Sequence, residues 1–128
     1  MDRAWLAVAA VNGFLAVAAG AFAAHGLKPR LSADALVIFE TATRYHMYHA
    51  LALLAVAISA DRWKAGWAQA SGWAFVAGIA IFCGTLYGLA LSNMRLKWLG
   101  AITPIGGLGF LVGWGLLALA AWRGSRVD

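Results

Sequence analysis

Long apolar runs alternate with short polar breaks along this chain. From Ala4 to Ala24 the only strongly polar residue is Asn12. The segment His25-Gly26-Leu27-Lys28-Pro29-Arg30 ends that run, since Gly26 suits a helix C-terminus and Pro29 blocks continuation. Ser32 reads as an N-cap, Asp34 falls in the first turn favoured by the helix dipole, and Leu31 and Leu36 stand at staple spacing. A helix is therefore predicted from about Ala33. Its first part, 33–44, carries Asp34, Glu40 and Arg44 and is too polar for lipid; its second part, 45–60, is apolar. The pattern predicts an interfacial helix feeding a membrane span, with or without a bend near Thr43. Polar turns at Asp61–Gly66 and Ser92–Lys97 then bound two further apolar segments, 67–91 and 98–122, the last with Pro104 near its start.

The expected fold is all-α: an integral membrane four-helix bundle with an interfacial helix before the second span, in one membrane domain covering 1–128. The spans are placed at about 4–24, 45–60, 67–91 and 98–122. Short connections make neighbouring spans antiparallel. Helices satisfy their own backbone groups in lipid, and a barrel would need alternating strands that are not present. The first run exceeds the ~7–15 apolar residues of a secretory leader, so it is expected to stay as a helix despite Ala21-Phe22-Ala23.

Composition agrees. Only 12% of the 128 residues are charged and the mean hydropathy is +0.78, against roughly 25% charged in a soluble domain. The net charge of +5 is scattered without a basic run, which suits anionic headgroups and gives no nucleic-acid footprint. Cys83 is alone, so no internal disulfide is possible. Trp5, Trp63, Trp67, Trp98 and Trp122 fall at segment ends, as an aromatic belt would. Basic residues divide evenly between the two sides: Arg3, Arg62, Lys64, Arg123 and Arg126 against Lys28, Arg30, Arg44, Arg95 and Lys97. If Arg44 lies within the helix, the count places both termini in the cytoplasm.

Small residues recur at four-residue spacing at Gly84 and Gly88, at Gly109 and Gly113, and at Ala16, Gly20 and Ala24. Such ridges let helix backbones approach closely in lipid. Packing within one chain is the plainer use, and a homo-oligomer interface the sharper one.

The most chemical stretch is Arg44-Tyr45-His46-Met47-Tyr48-His49. Ionisable groups at membrane depth are costly and usually face a partner or a cavity. With a span starting at Tyr45, antiparallel topology gathers His25, Tyr45, His49, Tyr87 and Thr103 in one leaflet, with Cys83 a turn deeper. These are the candidate binding residues. Glu40 and Arg44, four apart, are a candidate interfacial ion pair. His25, His46, His49 and Cys83 are weak metal candidates, for they match no ligand motif. No cofactor is called for. No Gly-x-Ser-x-Gly, His-Glu-x-x-His or carboxylate pair is present, so an enzyme is not expected.

Several motifs resemble those of a known family. Gly20-Ala21-Phe22-Ala23-Ala24-His25-Gly26, Tyr45-His46-Met47-Tyr48-His49-Ala50-Leu51-Ala52, Gly84-Thr85-Leu86-Tyr87-Gly88-Leu89, Thr103-Pro104-Ile105-Gly106-Gly107 and Phe110-Leu111-Val112-Gly113-Trp114 resemble, in order, the signatures of domain of unknown function 423. That is a family of small inner-membrane proteins related to the eukaryotic transmembrane protein 256. The resemblance implies four membrane helices and weight on His25, Tyr45, His49, Tyr87, Thr103 and Pro104, with His46, Arg44 and Cys83 outside the motifs. It implies no activity.

The expectation is a multi-pass protein of the bacterial inner membrane, non-enzymatic, acting as an accessory or scaffold. Its polar pocket would bind a lipid headgroup, a quinone or a partner helix. Membrane lipids and a partner membrane protein are the expected partners, without nucleic acid, and the chain is expected as a monomer or small homo-oligomer. One alternative is a metal- or haem-binding redox protein using His25 and His49. Another is a small transporter or proton pathway running toward Ser59 and Gln69.

Overall fold

The computed structural model describes residues 1–63 and 66–124. Lys64 and Arg126, two of the residues in the charge count, lie outside them, as does most of the polar tail. Helix α1 spans Arg3–Leu27, α2 Ala33–Ala60, α3 Trp67–Leu91 and α4 Trp98–Arg123. Asp2 starts α1 by accepting from the backbone N–H groups of Ala4 and Trp5. Ser32 caps α2 as its position suggests, its Oγ accepting from Ala35 N–H at 3.2 Å.

α2 is one unbroken helix of 28 residues, so the expected interfacial helix and second span are a single continuous element. At ~1.5 Å per residue it is about 42 Å long, enough to cross a hydrocarbon core of ~30 Å. Its ends are pinned to those of its neighbours. Ser32 N–H donates to Asn93 Oδ1 at 3.0 Å, just past α3, and Asp2 N–H donates to the Ala57 carbonyl at 2.8 Å, just before α1. α2 thus runs the same thickness as α1 and α3.

Those two neighbours and α4 are each long and apolar enough to cross a membrane, and α2 is not among them by composition. Its charged residues Asp34, Glu40 and Arg44 are exposed, and the face opposite them is buried. Ala35, Phe39, Ala42, His46, His49, Leu53, Val56 and Ala57 all face the bundle interior. Asn93 has φ 52° and Met94 φ 67°. Asn tolerates the left-handed region well, and here it turns the chain toward α4.

α3 and α4 pack most closely. A Cβ added to Gly109 would lie 3.2 Å from the Gly78 Cα, and one on Gly113 would lie 2.6 Å from the Phe75 ring. Ser71 Oγ crosses the same seam to donate to the Gly113 carbonyl at 2.7 Å. The α4 ridge is therefore an intrachain contact, and its partner on α3 is Gly78. A Cβ at Gly84 would meet nothing within 4 Å, and the same is true of Gly20.

Two stretches wind as π-helix, Ala23–Leu27 at the end of α1 and Ile79–Cys83 inside α3. A wider turn leaves carbonyls short of their usual donors. Just past the widened turn, Thr85 Oγ1 lies 2.6 Å from the Ile81 carbonyl and donates its single proton there.

Trp5 is a correction to the aromatic belt. It is buried, packed edge-on against Trp73 and donating to Gln69, whose amide in turn donates to Asp2 at 3.1 Å. Trp98 and Trp122 are exposed at the ends of α4, where a belt requires them.

Candidate functional site

Depth along α2 must be counted from Ala33 and not from Tyr45. His46 and His49 then lie about 20 and 24 Å along the helix, near its middle. The polar groups are central, not at the mouth of a span. They also do not converge. They form three separate sets.

The first joins α1, α2 and α3. His46 Nδ1 lies 3.0 Å from the Tyr87 hydroxyl and Nε2 lies 3.0 Å from Asn12 Oδ1. Asn12 Nδ2 donates to the Val8 carbonyl at 2.9 Å, which leaves Oδ1 as acceptor. The His46 proton therefore sits on Nε2, and Nδ1 accepts from Tyr87. The chain Tyr87 to His46 to Asn12 to Val8 closes in one direction with every group used. His46 is 6% exposed, so such closure is required away from water.

The second set joins α2 and α4. His49 Nδ1 lies 2.6 Å from the Tyr45 carbonyl, and Trp114 Nε1–H donates to His49 Nε2 at 3.3 Å. A carbonyl cannot donate and an indole N–H cannot accept, so the proton is on Nδ1 and the Nε2 lone pair is taken. The His49 ring stacks on Phe110 with centroids 3.5 Å apart and planes 5° from parallel. The third set is the Thr85–Thr103 hydroxyl pair at 2.7 Å between α3 and α4: with the Thr85 proton on its own helix, Thr103 donates to Thr85 Oγ1.

Of the five residues expected together, His49, Tyr87 and Thr103 fall in these three different sets. Tyr45 is part-exposed and packs on Phe82, with centroids 4.8 Å apart. His25 is exposed on the π-wound end of α1, away from His49.

The Glu40–Arg44 ion pair is not formed. Arg44 instead reaches Thr41 Oγ1 at 3.4 Å. The single ion pair among the described residues joins the Met1 amine and Asp61.

The metal and haem reading finds no donor set. No group of three His, Cys, Asp or Glu side chains is gathered among the described residues. His49 offers no free nitrogen, and Cys83 is buried in the π-wound turn of α3.

What the structure does present is a groove of about 850 Å³ between α2, α3 and α4. Tyr45, Tyr48, Phe82, Phe110 and Trp114 wall it, His49 lies at its floor, and Pro104, Gly107, Leu108 and Leu111 form the α4 side. No charged side chain lines it. Phe82, Phe110 and Trp114 were not singled out from sequence as site residues. A tryptophan in the middle of a span, away from either interface, was the available signal, because its N–H needs an acceptor in lipid. Asn12, alone in an apolar run, was another.

Helices long and apolar enough to cross a bilayer, packed around buried hydrogen-bonded polar groups, define an all-α multi-pass membrane protein. The model of a family described as "Protein of unknown function (DUF423)" matches residues 19–107. The chain is 41% identical to UPF0382 membrane protein YwdK of Bacillus subtilis, covering 93% of this chain and 96% of that protein. It is 45% identical to a UPF0382 membrane protein of Haemophilus influenzae, covering 99% and 100%. It is 40% identical to UPF0382 inner membrane protein YgdD of Escherichia coli, covering 98% and 94%. The chain belongs to the DUF423 family, and it is a membrane protein like these relatives. No solved structure matches it.

Proposed function

We propose that this protein is a non-enzymatic accessory protein of the inner membrane whose aromatic groove holds a lipid-soluble molecule with a flat ring and an apolar tail, the quinones being such a class. The observation that carries this reading is the groove itself. Its volume of about 850 Å³ falls within the ~300–1,000 Å³ of small-molecule sites. Its walls are ring faces and edges, which favour a stacked planar guest. The part-exposed hydroxyl-bearing rings of Tyr45 and Tyr48 stand at its edge, suited to donating to quinone carbonyls. A lipid headgroup fits less well, since no cation lines the groove. Along α2, fully buried Leu53 and Val56 lie between His49 and Ser59, which favours a holding site over a polar route across the bundle.

Decylubiquinone titrated into nanodiscs carrying the protein should quench tryptophan fluorescence saturably, beyond empty discs with free indole. Gly107→Leu fills the groove without a backbone clash, since a Cβ there meets only a Phe82 ring carbon at 3.9 Å. It should weaken binding at least tenfold. No saturable binding by the wild type, or unchanged binding by Gly107→Leu, overturns the reading.

A further inference from the structure

Helix α2 carries an exposed stripe that nothing in the bundle covers. Val37, Glu40, Arg44, Tyr48, Leu51 and Ile58 follow one another at three- and four-residue steps, with one longer step, and all are exposed. Glu40 and Arg44 sit on this stripe, neither in an ion pair among the described residues. Arg44 lies about 16 Å along a helix of about 42 Å, only a turn from its midpoint. In a core of ~30 Å centred on α2, Arg44 lies roughly 10 Å inside the nearer boundary, whereas snorkelling serves Lys and Arg near helix ends. Charges so deep and lipid-facing are costly and are found facing a partner or a cavity.

We infer that this stripe is the interface between two copies of the chain, related by a two-fold axis along the membrane normal. Copies inserted in the same sense run their α2 helices side by side with equal residues at equal heights. Each Arg44 then meets its own Glu40 and that of the partner, one turn away. Two carboxylates and two guanidinia close a neutral ring within the bilayer. Charge complementarity selects this occupant. The stripe bears one charge of each sign a turn apart, which matches a second copy of itself. A lipid phosphate would match Arg44 alone and be repelled by Glu40, and at this depth no headgroup is present. Val37, Tyr48 and Leu51 extend the contact on both sides of the ring. This interface does not depend on the groove holding a quinone.

The test is the oligomeric state in liposomes at low protein-to-lipid ratio, read by single-molecule photobleaching of singly labelled chains. The wild type should be dimeric. Glu40→Arg places only guanidinia in the ring and Arg44→Glu only carboxylates, so each variant alone should lose dimers at least tenfold. Mixed before reconstitution, the two should pair with one another, because one then supplies what the other lacks. The double exchange E40R/R44E should dimerise again. The neutral double variant E40Q/R44Q needs no buried charge to insert, and it too should weaken the dimer if its helicity by circular dichroism matches the wild type. A monomeric wild type, dimers indifferent to the single reversals, or no pairing in the mixture overturns the inference. Retention of anionic lipid lost in Arg44→Glu and raised in Glu40→Arg, with no dimer, would overturn it in favour of a lipid site. Decylubiquinone binding by the monomeric variants separates this result from the fate of the groove.

Discussion

Tyr87→Phe removes one oxygen from the middle of the bundle and changes little else. The ring remains, with its contact to Phe39 at a centroid distance of 5.0 Å. What is lost is the O–H donated to His46 Nδ1 at 3.0 Å, and Nδ1 is left facing no donor. Hydrogen bonds inside membrane proteins average about 0.6 kcal/mol and reach about 1.7. His46 is buried and its other nitrogen is committed to Asn12, so the ring cannot turn to find a new donor without breaking that bond. A cost at the upper end, about 1–2 kcal/mol, is expected, which is less than the full penalty of ~1–3 kcal/mol for an orphaned buried group. Reversible unfolding in mixed micelles measures it. The decisive comparison is the same substitution in a His46→Leu background, where the hydroxyl has already lost its acceptor. There Tyr87→Phe should be neutral or stabilising, giving a coupling of roughly 1 kcal/mol between the two positions. If the cost is the same in both backgrounds within about 0.3 kcal/mol, the directed chain from Tyr87 through His46 to Asn12 is not what holds these helices together.

Four further outcomes follow from the packing and the caps. Gly113→Leu should destabilise the bundle strongly, by about 2 kcal/mol or more in the same unfolding assay, because its Cβ alone would sit 2.6 Å from the Phe75 ring. Gly84→Ala, where a Cβ meets nothing within 4 Å, should be neutral or stabilising by up to about 1 kcal/mol. Trp114→Phe should leave His49 Nε2 without its donor and loosen the α2–α4 contact, seen as faster amide hydrogen exchange in both helices around these residues. The Asp2 carboxyl is held below its ordinary value of 3.8, first by the Trp5 backbone N–H and then by Gln69 and Ala4. Its contribution is therefore complete above pH 3.8 and lost as pH falls through the lowered folded-state value. Asp2→Asn should flatten that part of the stability-against-pH curve below pH 4 and leave the curve near neutrality with the same slope.

The fold was legible wherever the cause was local. Ser32 caps α2 because a hydroxyl at that position meets an orphan N–H of its own first turn. Runs of apolar residues long enough for a bilayer became α1, α3 and α4 with ends within a residue or two of those expected, apart from the few extra π-wound residues that close α1. The same local reading placed only 45–60 of α2 in the bilayer, because Asp34, Glu40 and Arg44 are too polar for lipid. What sets the whole helix beside α1 and α3 is not local. His46 and His49 face other helices, and Asn93 and Asp2 hold its two ends at the level of α3 and α1.

The candidate site followed the same division. His46 was read only as a weak metal candidate, yet it joins three helices; that His49, Tyr45 and Tyr87 matter to the bundle could be read from their cost in a membrane. Which of them meet could not, since a helix fixes the angle of each side chain about its own axis but not the rotation of one helix against the next. That rotation was set here by glycines. Gly78, Gly109 and Gly113 bring α3 and α4 into backbone contact, which leaves Phe110 stacked on His49 and Trp114 within reach of its Nε2.

By itself, then, the sequence determined the solvent this protein lives in, its helices and their family, because hydropathy, caps and motifs are written residue by residue. Only the tertiary structure decided that the polar hexad is split. His46 turns to Asn12 and Tyr87, His49 is enclosed beneath an aromatic groove, and Glu40 and Arg44 stay apart on an exposed face. The physical reason is that partners across helices are chosen by close packing, and close packing is a property of all four helices at once.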